Sequence, residues 1–341
     1  MARRAGLPNA RITLEGIGKT DADLRAACRA AADGDPLRWI SIESLDETAA
    51  LVRVARRMLR GGATLDVLFR LNPEVAPDTI RQLAVGAGGS KFGMTADELS
   101  NAVEVVEAMP GLVPRGVHVH VGSQLRAVDA WRDAARRALA LLALLGGTRP
   151  RFDTLDVGGG FPVLPLGDAA PAPERFAREL PALLDGIPAD RRPKRLAIEP
   201  GRALVARAGF LAARVLHVRE RGGRQVVLDT GMTELIRPAL YDAWHEITAL
   251  TSLGRPFVAG NEGELEPAHI EGPICESTDH LGQHRLPPLR RGDLVVIRDA
   301  GAYSASLAST YNGRPRPPQV IVERDGTLTL ARRRGSVAAL G

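Results

Sequence analysis

The sequence predicts an α/β protein, with a partial (β/α) barrel over residues 1–205 followed by a mostly antiparallel β domain over residues 206–341. Three observations lead there. Short β-rich runs alternate with amphipathic helical patterns through the first part of the chain, which implies parallel strands joined by crossover helices. Beyond residue 205 that alternation gives way to short strands separated by turn sequences. Glycine-rich and polar clusters stand just after the early strands, the end of a (β/α) barrel where loops carry chemistry.

Taken in order, Ile12 to Glu15 reads as a strand, and a helix follows with Thr20 as its cap and Leu24, Ala27, Cys28 and Ala31 on one face. Trp39 to Glu43 is the next strand. Ser44 and Glu47 then make a capping-box pair ahead of a helix carrying Val52, Ala55 and Leu59. Leu65 to Leu71 is a strand, and Thr95 with Glu98 opens another capped helix. Val117 to Val121 is a strand, followed by a long apolar-striped helix from Trp131 to Leu145. Leu155 to Val157 and Leu196 to Glu199 complete the series, with a helix around Phe176 to Leu184 between them. This makes six strands, where a closed (β/α) barrel has eight. In the second domain Leu211 to His217, Gln225 to Leu228, the neighbourhood of Ile270, Leu294 to Ile297, Gln319 to Val322 and Thr327 to Leu330 read as strands. Turns such as Arg221-Gly222-Gly223 and Arg324-Asp325-Gly326 separate them, and Arg314 to Pro318 is a loop.

Composition excludes several classes. No stretch is long and apolar enough to span a membrane, and the first residues lack the apolar core of a secretory signal. Cys28 and Cys275 are too far apart to suggest a disulfide framework, so a reducing, cytoplasmic setting is expected. A net charge of +5 raises the question of nucleic acid. The basic residues are spread among 40 acidic ones, and aromatics for base stacking are only 4%. The clusters Arg53, Arg56, Arg57 and Arg60, and Arg332 to Arg334, read instead as solvated faces. Only three residues are lysine: Lys19, Lys91 and Lys194.

Four clusters can carry chemistry. His118-Val119-His120-Val121-Gly122-Ser123-Gln124 runs off a strand end, where an imidazole can stack on a flat ligand and the Gly-Ser step exposes backbone N–H groups. Histidines hydrogen-bonded to strand neighbours are the plainer alternative. His118 and His120 share a face and suggest a metal, but the sequence offers no third ligand nearby, so none is expected. Asp156-Val157-Gly158-Gly159-Gly160-Phe161-Pro162 can point several N–H donors at an oxyanion, or be a flexible turn. Glu199-Pro200-Gly201-Arg202 places a carboxylate where it could keep a pyridine nitrogen protonated; a surface Glu–Arg pair is the alternative. In the β domain, Gly272-Pro273-Ile274-Cys275-Glu276-Ser277-Thr278-Asp279 joins a thiol to a carboxylate, with Asp299-Ala300-Gly301-Ala302-Tyr303 further on. Cys275 could serve proton transfer or be a small apolar side chain, and Cys28 on its apolar face is expected to be the latter.

These motifs, with LIRPALY (residues 235–241), SKFG (90–93) and YNGRPRP (311–317), resemble the diaminopimelate/ornithine/arginine decarboxylase family in the same order. The family consists of fold type III pyridoxal-phosphate enzymes, carbon–carbon lyases with an alanine-racemase-like barrel and a C-terminal β domain. The resemblance covers essentially the whole chain. It implies pyridoxal 5′-phosphate as cofactor, with His120 stacked on the ring and Glu199 at the pyridine nitrogen. Ser123, Gly158, Gly159, Gly160, Gly201 and Arg202 would surround the phosphate, and Tyr303 would also reach the cofactor. Arg202, Arg237 and Tyr241 would hold a substrate carboxylate. Cys275 and Glu276 would arrive from the second subunit of a homodimer with shared sites. Cys275, Glu199 and His120 are then the expected catalytic residues. Glu276 and LIRPALY point to meso-diaminopimelate giving L-lysine, whereas GGGFP is commoner among ornithine-like members.

One departure stands out. The family begins with a strand bearing the Schiff-base lysine in a YAxKAN-like segment, and nothing here matches it. Residues 1 to 15 resemble the third barrel unit, so the first two units are expected to be missing, in keeping with six strands. Lys19 follows a strand but corresponds to a family bystander. Its Gly16-Ile17-Gly18-Lys19-Thr20 segment lacks the first glycine of a P-loop. Arginine cannot substitute, because its guanidinium stays protonated. A start assigned too far downstream, a separate chain supplying the missing units, and a non-catalytic binding or partner subunit are the three explanations. The first is preferred because the later motifs are intact. Expressed alone, the chain is expected to aggregate or to bind pyridoxal phosphate weakly.

Overall fold

Each strand of the first part of the chain pairs in parallel with the strand that follows it. β1 (Thr13–Leu14), β2 (Trp39–Ile42), β3 (Leu65–Leu71), β4 (Leu112–Val119), β5 (Thr154–Asp156) and β6 (Arg195–Ala197) form one six-stranded sheet in chain order. A spatial order equal to chain order is the winding of a (β/α) barrel; a doubly wound sheet reverses direction partway. The computed structural model describes residues 2–87, 89–164, 170–257 and 265–339. It divides into two units, Met1–Pro162 with Ala169–Pro200, and Val163–Asp168 with Gly201–Gly341.

In the first unit the helices are α1 (Asp21–Ala32), α2 (Leu45–Met58), α3 (Ala96–Glu107), α4 (Asp129–Gly146), α5 (Pro173–Ala177) and α6 (Leu180–Asp185). Thr20 and Thr95 cap α1 and α3 in complete capping boxes, with Asp23 and Glu98 as the reciprocal acids. At α2 only half the predicted box forms. The Ser44 hydroxyl accepts the Glu47 N–H at 3.1 Å, but the Glu47 carboxylate takes the Glu43 N–H at 2.8 Å and pairs with Lys19 at 2.9 Å. The buried stripe of α2 is Thr48, Leu51, Val54 and Ala55, with Val52 only half-buried. Arg53, Arg56, Arg57 and Arg60 are all exposed, and Arg60 lies beyond the helix end.

Strand β2 is buried along its whole length and β3 nearly so, as central parallel strands covered on both faces must be. β4 starts at Leu112, five residues before its predicted start at Val117. Pro114 and Gly116 break the apolar pattern there, and the β3–β4 register shifts between Val67 and Leu68. Gly116 also lies against the Thr154 carbonyl, where a Cβ would stand 1.7 Å from the oxygen. The helix predicted around Phe176–Leu184 is two short ones, because Pro181 in the first turn of α6 has no N–H to continue α5. At the β6 edge, Leu196 and Ile198 are 44% and 54% exposed.

The second unit opens with α7 (Gly201–Val205) and contains α8 (Arg237–Tyr241) and α9 (Ser304–Leu307). Its main sheet has the order β11-β10-β8-β7-β12-β9, built from β7 (Leu211–Glu220), β8 (Arg224–Leu228), β9 (Ile247–Leu250), β10 (Glu266–Glu271), β11 (His280–Leu286) and β12 (Leu294–Ile297). All pairs are antiparallel except β8 with β10. Val215, Val226, Leu228, Ile270, Leu281, Val295 and Ile297 fill its core. β9 and β11 were absent from the sequence reading. The polar, glycine-containing HLGQHRL of β11 hides a strand whose inward residues are Leu281, His284 and Leu286. β13 (Gln319–Val322) and β14 (Leu328–Arg332) form a separate hairpin. Among the described residues, no helix is long and apolar enough to cross a membrane.

Candidate active site

The carboxyl ends of the first unit's strands each deliver an ionisable side chain. Glu15 follows β1, Glu43 follows β2, Arg70 lies in β3, His118 lies in β4 with His120 just beyond, Asp156 ends β5, and Glu199 follows β6. Parallel register aligns Arg70 with His118 and His118 with Asp156, so these three stand in one row on one face.

Arg70 and Glu43 form a buried ion pair, with Nη1 at 2.9 and 3.0 Å from the two carboxylate oxygens. His118 is 2% exposed. Its Nδ1 is 3.0 Å from Ser41 Oγ and 3.6 Å from Glu15 Oε2, while its Nε2 is 3.7 Å from Glu199 Oε1. Glu15 Oε1 accepts the Trp39 indole N–H at 2.8 Å. Ligand-type atoms of Glu15, His118 and Glu199 thus lie within 4.8 Å of one another, although β1 and β6 are the two edges of the sheet. The sheet is therefore strongly curled. It also corrects the premise on which a metal was discounted, since two further ligand-type residues do approach His118. They come from strands remote in sequence, which local spacing cannot reveal.

Burial and crowding of like charge set the electrostatics. Glu199 is pushed up to about 8, by burial first, then by Asp156 and Glu15, with Arg70 pulling the other way. Burial lifts Glu15 to about 6 against the Trp39 hydrogen bond. His118 is held well below the usual imidazole range by burial, Arg70 and His120. His120 is brought down to about 4 by burial and Arg70. Burial also raises Asp156, offset by the Gly158 N–H.

The triple-glycine bend lies beside Glu199. The Glu199 N–H donates to the Gly158 carbonyl at 2.8 Å. A Cβ on Gly159 would meet the Glu199 carbonyl oxygen at 2.3 Å. Gly158 and Gly160 take φ of +67° and +98°, which favours glycine. Two of the three glycine N–H groups are already engaged, Gly158 with Asp156 Oδ1 at 2.9 Å and Gly159 with His120 Nδ1 at 3.0 Å. Accepting at Nδ1 leaves the neutral His120 ring its proton at Nε2 and fixes the ring's orientation. Ser123 is half-buried, and its carbonyl accepts the Thr79 hydroxyl at 2.6 Å.

In the second unit, the Arg202 guanidinium stacks 4.6 Å from the Tyr303 ring centroid, and Tyr303 has φ +67°. Arg237 donates to His245 Nε2 at 2.9 Å, and His245 donates from Nδ1 to the Arg298 carbonyl at 2.9 Å. Burial, then Arg202, pushes Arg237 down to about 10. Tyr241 closes α8, the helix that Arg237 begins. Cys275 is exposed, with Asn312 Nδ2 at 3.7 Å from its sulfur, and the Tyr311 hydroxyl donates to Glu276. Asp279 accepts the Met232 and Ile274 N–H groups, both at 2.6 Å, and so ties the Cys275 loop to the loop after β8. Cys28 is buried in α1. Sequence reasoning missed Glu15, Ser41, Arg70 and His245. None lies in a distinctive motif, and only three-dimensional register brings them in.

A family model described as "Pyridoxal-dependent decarboxylase, pyridoxal binding domain" matches residues 1–206. The chain is 34% identical over 337 residues to the diaminopimelate decarboxylase of Vibrio cholerae, covering 98% of this chain and 76% of that protein. It is 33% identical over 339 residues to the diaminopimelate decarboxylase of Aquifex aeolicus, covering 98% and 75%. The crystal structure of Helicobacter pylori diaminopimelate decarboxylase complexed with L-lysine superposes with a TM-score of 0.87 at 28% identity, over 99% of this chain and 80% of that one.

Proposed function

The chain belongs to the pyridoxal-dependent decarboxylase family, and from that premise we propose that it serves decarboxylation of a diamino acid, meso-diaminopimelate giving L-lysine. The family's cofactor is pyridoxal 5′-phosphate. The observation that carries the reading is the placement of Glu199 against the Gly158–Gly160 bend, with its N–H on the Gly158 carbonyl at 2.8 Å. The donor set fits a cationic heterocycle. Glu199 is pushed up to about 8 by burial first and then by the neighbouring Asp156 and Glu15, and a protonated ring nitrogen facing it would favour its ionised form.

When bound, the cofactor supplies an electron sink for the carbanion left by loss of the α-carboxylate. Glu199 would hold the proton at the pyridine nitrogen. His120 would lie flat on the ring, oriented by its bond from the Gly159 N–H. Ser123, Gly158, Gly159, Gly160, Gly201 and Arg202 would surround the phosphate. Tyr303 would border the cofactor and, by stacking, hold Arg202 in place. Arg202, Arg237 and Tyr241 would bind the substrate carboxylate, with His245 fixing the Arg237 fork. In a homodimer Cys275 and Glu276, exposed on their loop, would be lent to a second copy's site. There Glu276 would receive the distal ammonium and Cys275 would place a proton on the substrate carbon. A cytoplasmic setting belongs to the same proposal.

A non-catalytic, cofactor-binding role is the second reading, and Lys19 favours it. It is the lysine whose charge reaches Glu15 and His118, yet its ammonium is committed to Glu47 at 2.9 Å and to the Gly16 carbonyl. The test is absorbance titration of the purified chain with pyridoxal phosphate, together with CO2 and L-lysine measurement from meso-diaminopimelate. Saturable binding weakened by Glu199→Gln, with equimolar CO2 and lysine, supports the enzyme. Saturable binding without products supports the second reading. Binding indifferent to Glu199→Gln would sink both.

A further inference from the structure

We propose that Glu15, His118 and Glu199 form a binding site for one zinc-class divalent cation in the cofactor-free chain, with Ser41 orienting the imidazole. All four residues belong to the first unit. The inference holds whether or not the chain takes pyridoxal phosphate.

Two independent observations meet here. The first is proximity: one ligand-type atom from each of Glu15, His118 and Glu199 lies within 4.8 Å of the other two. His118 Nε2 and Glu199 Oε1 stand 3.7 Å apart, too far for a hydrogen bond. Zinc holds imidazole nitrogen at about 2.0–2.1 Å and carboxylate oxygen at about 2.0–2.2 Å, so two donors on one tetrahedral ion are about 3.4 Å apart. The contraction still required falls to the two glutamates, whose side chains are 22% and 35% exposed. That exposure also admits the ion and the water that would complete its coordination.

The second observation is a pair of orphaned buried atoms. His118 is 2% exposed, and its Nε2 has no hydrogen-bond partner. Glu15 Oε2, 3.6 Å from the same ring, is likewise buried and unpartnered. Buried polar atoms are nearly always satisfied, and a cation would satisfy both of these together. The other end of each group is anchored. His118 Nδ1 is 3.0 Å from Ser41 Oγ, and Glu15 Oε1 accepts the Trp39 indole N–H at 2.8 Å. With its proton donated to Ser41, the neutral ring presents its lone pair at Nε2, the arrangement that ligating histidines adopt.

Charge and chemistry select the occupant. Two carboxylates match a divalent ion, and Asp156 adds to the negative field at both. Arg70 and Lys19, the cations whose charge reaches this place, are paired with Glu43 and Glu47. An imidazole donor favours zinc over magnesium, which takes oxygen ligands. The ion and a protonated ring nitrogen would be alternative partners of Glu199, so each excludes the other.

The test titrates Zn2+ by calorimetry into the full chain, free of tag, cofactor and metal, with 15N-labelled histidine rings followed in parallel. The expected result is saturable binding of one ion per chain, with the His118 Nε2 signal shifting as the site fills. Glu15→Gln and Glu199→Gln are near-isosteric, and each should weaken binding by at least about tenfold. Ser41→Ala removes no ligand, yet should weaken it by about 10–100-fold through lost orientation. His269→Ala, at an exposed position of β10, should change nothing, and Mg2+ should not bind. No saturable Zn2+ binding, an unmoved His118 signal, or binding that withstands either glutamate change overturns the site. Unaltered affinity in Ser41→Ala overturns the orienting role. Because the labelled wild type reports on His118 directly, nothing depends on a buried His118 variant folding. With no cofactor present, failure here leaves the decarboxylase reading standing, and failure to bind pyridoxal phosphate leaves this site standing.

Discussion

Replacing Gly159 with alanine probes how tightly the glycine bend is packed against the end of β6. The added Cβ would stand 2.3 Å from the Glu199 carbonyl oxygen and 3.3 Å from its carbon, both backbone atoms. An ordinary carbon–oxygen contact is about 3.3 Å, so the two segments must part by about 1 Å. Neither can swing aside easily. Gly158 and Gly160 on either side are held in left-handed conformations, and the Glu199 N–H is bound to the Gly158 carbonyl. Forcing extra volume into such a contact costs about 1–3 kcal/mol. For a unit of this size that lowers Tm by about 2–12 °C. Gly201→Ala is the matched control, because a Cβ there meets nothing within 4 Å, and its effect should stay within about 0.5 kcal/mol. Calorimetry and urea unfolding of the two variants against wild type measure both. If Gly159→Ala melts with the wild type, the bend yields at no cost and the close approach has been misjudged.

Other outcomes follow from the same geometry. Glu43→Ala leaves the Arg70 guanidinium buried and unpaired, and urea unfolding should register a loss of about 3–5 kcal/mol. Asp279→Ala deprives the Met232 and Ile274 N–H groups of their acceptor; each costs about 1–3 kcal/mol, and proteolysis should begin in the Cys275 loop. Stability should also depend on pH in a defined direction. Glu199 rises from 4.5 in the unfolded chain to about 8 in the folded one, so the folded state holds the extra proton. That contribution is complete below about pH 4.5 and is lost as pH rises through about 8. Below pH 6.5 it is opposed by His120, which falls from 6.5 to about 4 and costs stability as the solution is acidified. A decline from pH 6.5 to 8 that disappears in Glu199→Gln is expected; a flat profile in the wild type would contradict the assigned crowding.

The parts of the fold legible in the sequence were those governed by local rules. Thr20 and Thr95 announced two helix starts through capping chemistry, and Leu65–Leu71 was found to the residue because an unbroken β-rich run marks a central strand. Elements were misplaced where tertiary pairing overrode the local pattern. Pro114 and Gly116 disguised the first half of β4, and Pro181 divided a helix whose apolar spacing looked continuous. The site divides in the same way. His120, the glycine bend and Glu199 announced themselves through motifs, and the structure brings those three together. Glu15, Ser41 and Arg70 gave no signal, because a lone residue at a strand end acquires its partners only when six strands align.

The curl of the sheet has a mechanical consequence. Acids carried by its two margins come within 4.8 Å of a single imidazole, and when both are ionised they push the margins apart. Whatever positive group lodges between them works as a clasp, so occupancy and curvature rise and fall together. A ligand at a hundred times its Kd would fasten this clasp with about 2.7 kcal/mol, shared between gripping the ligand and bending the chain around it.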